Sequence, residues 1–529
     1  MSDQIEDRKA KLEKIRALGV DPYGARFADI ATHADIRAAA EQMNINPGQV
    51  CEGDQACFRA AGRVVLHRDI GSLIFMTVRD RTGELQFGLS KKMVAGSAGV
   101  LPTREATERR SDETTEGQTE KRADPFLDGA TAWKVAKLLD LGDVVGADGQ
   151  LGRTKTGELT LWVTRLTLLS KCLRPPPEKW HGLTDVEARY RRRYVDLLSN
   201  PDSQQVFLMR ARIIDYARQV LRQRGFIEVE TPVLQPIYGG AAARPFLTHH
   251  NTLDMDLYLA ISPELYLKRC LVGGLERVFE FSRCFRNEGI SPRHNPEFTM
   301  LELYQAYGDY HDMMDICEAI IGGAARDVIG ATKIKFGKVE IDYATPWPRL
   351  KYADVFREHV GIATDDVAAI RQRARELHGR GELKADESQL DDPVVVHELF
   401  DHYVEPKLAN PTFVLDWPAP LCPLTRRHPD DPNLALRFEL FINGMEIGNA
   451  YTELNDPAVQ RATLSKQLRG EEDETMAVMD EDFVEALEYG MPPAGGLGIG
   501  IDRMIMLLTG SPSIRDVILF PLQRPLAQE

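Results

Sequence analysis

The first third of the chain alternates between hydrophobic and polar residues, which is the pattern of short β-strands with one buried face. Two stretches, 60–90 and 142–170, show this alternation, and turn-forming Asp and Gly residues interrupt the first of them at 69–71 and at 80–83. Several short strands separated by regular turns predict a small closed β-barrel.

Other patterns flank and interrupt this barrel. Apolar residues at helical spacing predict short helices over 5–18 and 131–140. The segment 102–124 contains almost no large apolar residues, so we interpret the region near 95–130 as a disordered or solvent-exposed insertion. The OB-fold is one candidate for a barrel of this kind.

The rest of the chain has the pattern of a larger domain that contains both helices and strands. The proline-rich stretch 173–182 predicts a stiff linker at a domain boundary. A helix is predicted over 203–224, where Gly225 ends it, and the stretch 226–234 predicts a strand that ends at Pro232. The polar stretch 375–394 predicts a surface excursion. The C-terminal part predicts strands over 411–417, 436–454 and 495–501 and a helix over 503–509.

Composition narrows the class of protein. The chain has 529 residues, 43% hydrophobic residues and no apolar run long enough to span a bilayer, so we expect a globular protein without a membrane partner. Its seven cysteines are scattered without a CxxC pair, which argues against zinc and fits a reducing cytoplasm. The formal charge of −15 means that any phosphate must be bound by a local basic patch.

Two segments predict neighbouring strands with one polar face. Residues 277–288 alternate between apolar and polar side chains, as on a sheet that covers a core on one side and lines a cleft on the other. Arg283 interrupts the apolar face, and the sequence does not explain why. Glu302 and Tyr304 are two residues apart in the next segment, so a strand places them on one face.

The loop between these strands, FRNEGISPRHNPEF at 285–298, concentrates positive charge in an acidic protein. Arg286, Arg293 and His294 lie within nine residues of each other, next to glycine and proline residues that shape the backbone. Such a run is either a charged surface loop or a built anion site.

A hairpin is predicted where Asn443 and Gly444 separate two alternating apolar runs. A two-residue turn places Glu439 and Glu446 on one face as diagonal neighbours, roughly 7–8 Å apart. Two carboxylates at that separation fit a hard cation such as Mg²⁺, which prefers oxygen ligands and accompanies phosphate.

The same hairpin creates a conflict between faces. Strict alternation puts Asn449, Tyr451 and Glu453 on the face opposite Glu446. If all of them belong to one site, a β-bulge near Gly448 must change the direction of the strand.

A glycine-rich strand precedes the last predicted helix. Glycines at 496, 498 and 500 leave one strand face without side chains, on which a flat ligand could lie. Asp502 is the predicted N-cap of the helix, and Gly510 ends it. The segment is neither a GxGxxG fingerprint nor a P-loop.

These segments together resemble the signature motifs of class II aminoacyl-tRNA synthetases. FIEVETPVL at 226–234 resembles motif 1, FEFSRCFRNEGISPRHNPEFTMLEL resembles motif 2, and GLGIGIDRMIML resembles motif 3. Within the class, the stretches 238–269 and 446–457 are similar to full-length, bacterial-type lysyl-tRNA synthetases. The likeness covers almost the whole chain except the insertions.

The resemblance implies an α+β fold with two functional domains. Residues 1–174 would form an N-terminal helix and an OB-fold anticodon-binding domain, 175–200 a linker, and 201–529 a catalytic domain whose antiparallel sheet is flanked by helices. It also implies a homodimer through motif 1. The implied activity is the ATP-dependent conversion of L-lysine to lysyl-adenylate with release of pyrophosphate, followed by transfer of lysine to the 3′ end of tRNA(Lys).

The resemblance further assigns site residues, each by its matching position. Arg286 and Arg503 would be catalytic. The ATP-binding residues would be Arg286, Glu288, His294, Asn295, Phe298, Glu446 and Arg503. The lysine-binding residues would be Gly240, Glu264, Arg286, Glu302, Tyr304, Asn449, Tyr451 and Glu453. Glu439 and Glu446 would bind Mg²⁺, up to three ions per subunit with ATP, and no zinc. The anticodon would contact Arg68, Phe75, Gln86 and Glu158.

Three alternatives stay open at this point. An aspartate or asparagine ligase would share the fold, but its pocket would need additional cations. A protein-lysylating paralogue would lack an anticodon-binding domain, and residues 60–170 are predicted to supply one. A non-catalytic OB-fold protein that binds nucleic acid would have lost the charged residues of the catalytic motifs, and this chain retains them.

Overall fold

The computed structural model describes residues 2–96, 125–177, 182–383, 386–467 and 479–525. Its internal contacts divide the chain into two compact units, Met1–Gly182 and Leu183–Glu529. In the described part, no helix has the length and apolar character needed to cross a membrane. Most of the predicted insertion, 97–124, lies outside the described residues.

The first unit contains a closed five-stranded barrel. Its strands are β1 (Cys57–Asp69), β2 (Leu73–Asp80), β3 (Gly83–Ser90), β4 (Val144–Arg153) and β5 (Leu159–Ser170), in the order β1-β2-β3-β5-β4. The helices are α1 (Ser2–Ala17), α2 (His33–Gln42), α3 (Lys91–Gly96) and α4 (Gly129–Leu138). Alternate side chains, including Ile74, Met76 and Phe87, are fully buried in the barrel interior. The strands and turns predicted from the alternating pattern are therefore confirmed.

The second unit is built on an eight-stranded sheet, with order β14-β15-β16-β17-β18-β11-β10-β6. The strands of the unit are β6 (Ile227–Glu228), β7 (Leu234–Gln235), β8 (Leu247–His250), β9 (Met255–Leu259), β10 (Arg277–Phe285), β11 (Glu297–Ala306), β12 (Lys333–Phe336), β13 (Val339–Asp342), β14 (Arg349–Lys351), β15 (Thr412–Pro418), β16 (Leu434–Phe441), β17 (Glu446–Thr452) and β18 (Ala494–Gly500). The pairs from β15 to β10 are antiparallel, and each edge strand adds in parallel.

Helices pack against both faces of this sheet. They are α5 (Val186–Arg191), α6 (Arg193–Ser199), α7 (Pro201–Gln223), α8 (Glu264–Val272), α9 (Tyr310–Cys317), α10 (Tyr352–Val360), α11 (Val367–Gly379), α12 (Asp392–Tyr403), α13 (Pro457–Gln467), α14 (Glu481–Glu488), α15 (Ile501–Thr509) and α16 (Ile514–Val517). The main core joins α7, α9 and α15 to apolar strand residues such as Phe279 and Leu301. A second core packs α10, α11 and α12 against Val414 and Phe441 on the opposite face of the sheet. The middle of that opposite face forms a cleft.

Two sequence predictions about motif segments are wrong. The strand predicted from 226 to Pro232 is only the two-residue strand β6, and the separate strand β7 begins after Pro232, which has no N–H to donate. Asp502 is not an N-cap: Gly500 occupies that position, and the Asp502 carboxylate inside the helix accepts from Thr299 N at 2.7 Å and pairs with Arg210 at 2.6 Å.

The fold also shows where Arg283 and the polar stretch 375–394 lie. Arg283 lies at the exposed end of β10, where it pairs with Glu297 at 2.8 Å and donates to Thr299 Oγ1 at 2.9 Å. The stretch 375–394 is not a simple surface excursion, since it includes the end of α11 and the start of α12. Between them Glu387 is buried and pairs with Arg375 at 2.8 Å.

Candidate active site

One row of residues crosses five strands on the cleft face of the sheet. Glu439 is opposite Asn449, Asn449 and Glu302 are both opposite Gly498, and Glu302 is opposite Glu280. Residues directly opposite each other on antiparallel strands share a face. The predicted polar face of β10 and the predicted side-chain-free face of β18 therefore belong to one continuous surface.

A β-bulge brings the hairpin residues onto that surface. Phe441 is opposite Glu446, but Leu440 is opposite Gly448, so β17 has one additional residue at this point. The bulge places Glu446 on the same face as Asn449, whose Nδ2 donates to Glu446 Oε1 at 2.9 Å. The condition set by the alternating pattern, a bulge near Gly448, is confirmed. Asn443 and Gly444 both have positive φ, 53° and 59°, as the predicted two-residue turn requires.

A cavity of about 380 Å³ opens on this face. It collects seven of the eight residues predicted to bind lysine, which are Gly240, Glu264, Arg286, Glu302, Tyr304, Asn449 and Tyr451. Gly240 has φ 86°, and a Cβ at this position would lie 3.0 Å from Glu264 Cβ. The eighth residue, Glu453, is fully buried behind the lining.

The carboxylates near the cavity are held by protein groups. Lys268 Nζ lies 2.6 Å from Glu264 Oε1 and 2.6 Å from Glu453 Oε2. The hydroxyl of Tyr451 donates to Glu264 Oε2 at 2.9 Å. Sequence reasoning missed Lys268, although its position four residues after Glu264 on α8 is the spacing of a helical ion pair.

Glu302 is a second buried carboxylate in the cavity lining. Ser262 Oγ donates to Glu302 Oε1 at 2.9 Å, and the Tyr304 hydroxyl donates to Oε2 at 3.4 Å. Burial, together with the charge of Glu264, raises the pKa of Glu302 to about 8. This group therefore changes its charge near neutral pH and responds to a cation in the cavity.

Arg286 supplies positive charge to the same cavity. Its guanidinium carbon lies 5.1 Å from the centroid of the Phe298 ring, and its buried Nε has no hydrogen-bond partner among the described residues. The backbone N–H of Arg286 donates to Pro296 O at 2.8 Å, which closes the base of the loop. A buried guanidinium nitrogen without a partner suits an anionic ligand.

The loop after Arg286 contacts the end of the hairpin and the start of α15. Arg503 Nη2 lies 2.9 Å from His294 Nε2, and Arg503 Nη1 donates to Glu446 O at 2.8 Å. Burial and the charge of Arg503 lower the pKa of His294, so a neutral imidazole accepts this hydrogen bond. Arg293 Nη1 donates to Gly444 O at 2.8 Å.

The remaining loop residues predicted to bind ATP differ in exposure. Asn295 is buried, and its Nδ2 donates to Glu297 O at 2.6 Å while its Oδ1 has no partner among the described residues. Glu288 is exposed. The loop therefore combines a buried amide with charged groups at the rim of the cleft.

Glu439 and Glu446 have the chemistry of a site for a divalent cation. Glu439 is buried and paired with Arg437, which also lines the cavity. Sequence reasoning missed Arg437, although it lies two positions before Glu439 on the same face of the strand. Burial raises the pKa of Glu439 to about 8 against the charge of Arg437. Within the described ranges, no group of three or more His, Cys, Asp or Glu side chains could hold a metal by itself. Two carboxylates fit Mg²⁺ that takes its other ligands from water and phosphate.

The outer face of the barrel carries the four residues predicted to contact the anticodon. Arg68 is opposite Phe75, and Gln86 is opposite Thr160, to which its Nε2 donates at 2.8 Å. Phe75 alternates with the buried residues of β2, so its half-buried ring lies on the outside of the barrel. Glu158 is exposed just before β5.

A second aromatic ring that sequence reasoning missed lies beside this group. Trp162 is two residues after Thr160 on β5, and its ring centroid is 5.9 Å from that of Phe75 in an edge-to-face arrangement. The alternation of side chains between the two faces of β5 could have indicated that Trp162 lies on the same face as Thr160. An aromatic pair among polar groups suits the stacking of unpaired bases.

Comparisons with known proteins agree with this geometry. A family model described as tRNA synthetases class II (D, K and N) matches residues 185–524. A protein of Pelotomaculum thermopropionicum named lysine–tRNA ligase is 46% identical over 532 residues, which cover 99% of this chain and 96% of that protein. Proteins with the same name from Carboxydothermus hydrogenoformans and Staphylococcus haemolyticus are 45% and 43% identical, and each alignment covers 99% of both chains.

Proposed function

This chain belongs to the class II tRNA synthetase family of the D, K and N type, and from that membership we propose that it is a lysine–tRNA ligase. It activates L-lysine with ATP to form lysyl-adenylate and pyrophosphate, and it transfers the lysyl group to the 3′ end of tRNA(Lys). Full-length relatives of that name, 43–46% identical, support this activity.

One observation carries the choice of lysine within the family. The cavity is lined by two carboxylates, Glu264 and Glu302, by the guanidinium of Arg286, and by Arg437, whose charge is paired with Glu439. Lysine has two ammonium groups and one carboxylate, which these charges complement. Aspartate would need additional cations in place of Glu302, so the aspartate alternative is less suited to this pocket.

The proposed roles follow from the charge of each group. Glu264 receives the α-ammonium group, and Glu302, Tyr304 and Glu453 surround the ε-ammonium group. Arg286, with Asn449, holds the carboxylate. Gly240 and Tyr451 complete the pocket, since Gly240 leaves room beside Glu264 and the Tyr451 hydroxyl orients it.

ATP lies on the glycine-rich face in this proposal. Phe298 and Arg503 contact the adenine, and the other groups that hold the base edge and the phosphates are Glu288, His294 and Asn295. Glu439 and Glu446 would hold Mg²⁺, which would supply positive charge to neutralise the phosphates. Nothing in the pocket needs to act as a protein nucleophile.

The first step joins the two substrates directly. A carboxylate oxygen of lysine attacks the α-phosphorus, the bond to the bridging oxygen breaks, and pyrophosphate leaves. Arg286 stabilises the negative charge that develops on the α-phosphate, so the chain contributes positioning and electrostatics. In the second step the terminal ribose 3′-hydroxyl of the tRNA attacks the lysyl carbonyl carbon, and AMP leaves.

The partners and location are part of the same proposal. The closed barrel is an OB-fold that binds the anticodon. The enzyme acts in the cytoplasm, where aminoacylated tRNA is used.

A homodimer forms through the motif 1 region. Exposed apolar side chains support this, since Ile227 is 54%, Leu234 is 50% and Leu247 is 63% exposed.

An exchange panel tests the activity. ATP–pyrophosphate exchange should depend on lysine and be negligible with the other nineteen amino acids, and the protein should then charge tRNA(Lys). Exchange that depends on aspartate or asparagine would contradict the choice of substrate. Exchange with lysine but no charging of tRNA(Lys) would favour the protein-lysylating alternative.

Replacing Phe75 by alanine tests the barrel separately. Loss of one stacking ring costs roughly 1–3 kcal/mol per base, so kcat/KM for charging tRNA(Lys) should fall about tenfold to a hundredfold. Lysine-dependent exchange, which needs no tRNA, should be unchanged. Phe58→Ala is the control, because this half-buried ring packs against the barrel core and its loss should lower stability instead. Equal charging by wild type and Phe75→Ala would refute the anticodon role.

A further inference from the structure

Lys268 is a buried charge that the roles above do not use. Its side chain is fully buried on α8, where a lone ammonium group would be strongly disfavoured. Contacts of 2.6 Å to Glu264 and 2.6 Å to Glu453 compensate this cost. The aromatic rings of Tyr304 and Tyr451 lie 6.0 and 5.6 Å from the ammonium nitrogen.

Lys268 contacts one oxygen of each carboxylate and leaves the other oxygen for further contacts. The second oxygen of Glu264 accepts from Tyr451, and Glu264 itself lines the cavity. The second oxygen of Glu453 has no hydrogen-bond partner among the described residues. That oxygen occupies the place where a Cβ on Gly496, another lining residue, would be. Lys268 therefore orients both carboxylates relative to the cavity.

The charges around Lys268 leave room for two more positive groups. In their ionised forms Glu264, Glu302 and Glu453 carry three negative charges, and Lys268 carries one positive charge, so two further positive charges balance the ionised cluster. Lysine brings two ammonium groups, whereas an amino acid with a neutral side chain brings one. The carboxylate of the amino acid is matched separately by Arg286.

We propose that Lys268 is a positioning residue of the amino-acid pocket, which holds Glu264 and Glu453 in place beside the cavity so that the pocket selects an amino acid with two ammonium groups. This inference rests on the proposed lysine activation. Lys268 does not touch the substrate in this role, because it acts through the two carboxylates.

The titration behaviour of the cluster supports this role. Burial raises the pKa of Glu453 to about 8 even though the charge of Lys268 lowers it. The Lys268 pKa is raised by Glu264 and Glu453, although burial alone would lower it. The other ionisable groups that act on this cluster are Glu302, Tyr304, Tyr451, Arg437 and Arg286. Without Lys268, we expect the pKa of Glu453 to rise further, because the nearby positive charge that lowers it is lost.

Replacing Lys268 by methionine tests the proposal in ATP–pyrophosphate exchange. An opposite charge at this distance shifts a carboxyl pKa by about 1–3 units, so KM for lysine at pH 7 should rise about tenfold or more. KM for ATP should change by less than about twofold, because the ATP groups lie outside this cluster. The defect should shrink as pH rises from 7 to 8.5, since a larger fraction of the Glu453 carboxyl groups then loses its proton.

A matched control separates this role from a general loss of packing. Lys171, in the barrel unit, is also fully buried and pairs with Asp140 at 2.6 Å and Asp143 at 2.9 Å. Lys171→Met should lower the melting temperature but leave the ratio of KM for lysine to KM for ATP unchanged. Removing Lys268 should change that ratio.

A double variant provides a second readout in case Lys268→Met folds poorly. Glu453→Gln removes the charge that Lys268 balances, so Lys268→Met/Glu453→Gln should fold better than Lys268→Met. Its increase in KM for lysine should be smaller than the product of the two single effects. A multiplicative effect, equal changes in both KM values, or a defect independent of pH would overturn the proposal. Absence of lysine-dependent exchange in the wild type would instead refute the proposed function.

Discussion

Replacing Arg286 by alanine should reduce lysine-dependent pyrophosphate exchange by about a thousandfold or more, while the protein stays folded. Arg286 lines the cavity, lies over the Phe298 ring and has a buried Nε without a partner among the described residues. In the proposed reaction it is the cation nearest to the developing charge on the α-phosphate. Alanine removes that charge, and among the described residues Arg286 forms no ion pair that the change would break. We therefore expect a large fall in kcat and little change in the free energy of unfolding.

Arg283→Ala is the matched control for this prediction. Arg283 lies on β10, three residues before Arg286, which begins the following loop, and the Arg283 side chain pairs with Glu297. Its loss should change exchange by less than about threefold, since exposed ion pairs contribute about 1 kcal/mol or less. Circular dichroism and thermal melting check folding. Arg286→Ala with more than a tenth of wild-type exchange would refute the site.

Replacing Gly496 by alanine should raise KM for lysine by about a hundredfold or more, because displacement of a positioning group by about 1 Å can cost that much. A Cβ at this position would overlap Glu453 Oε1 and lie 2.5 Å from Tyr304 Cε1. Both side chains are assigned to binding the ε-ammonium group of lysine. Because both are buried, the added methyl group should displace them from the positions in which they contact that group.

Gly498→Ala provides the comparison, since it adds the same methyl group two residues later on the same face. Its Cβ would lie 3.3 Å from Met300 Cε and 3.8 Å from Glu302 Cγ, and a methionine end can move. The effect on KM for lysine should therefore be much smaller than that of Gly496→Ala. Steady-state exchange at varied lysine concentration measures both. Equal effects of the two variants would mean that Glu453 and Tyr304 do not hold the substrate.

Local patterns predicted several elements that the structure contains. The Asn443-Gly444 turn depends on two residues that tolerate positive φ, and the alternating barrel strands depend on which side chains avoid water. Both are decided within a few residues, so they can be inferred from the chain alone. The predicted N-cap at Asp502 was wrong because Thr299 and Arg210, distant in sequence, compete for its carboxylate.

The sequence by itself determined the positions of the motifs, the barrel strands and most of the charged residues assigned to the site. Alternation and resemblance carry that information, since each depends on residues close together along the chain. Only the tertiary structure decided that a bulge before Gly448 turns Glu446 and Asn449 to one face, that Arg437 pairs with Glu439, and that Trp162 lies beside Phe75.

Lys268 illustrates the physical reason for this limit. Its pairing with Glu264 follows helical spacing, but its second partner, Glu453, is 185 residues away and reaches it only when β17 enters the sheet beside β18. Burial then makes these charges depend strongly on one another, because little water separates them. The balance of charge that suits lysine is therefore a property of the packed site and of no single segment.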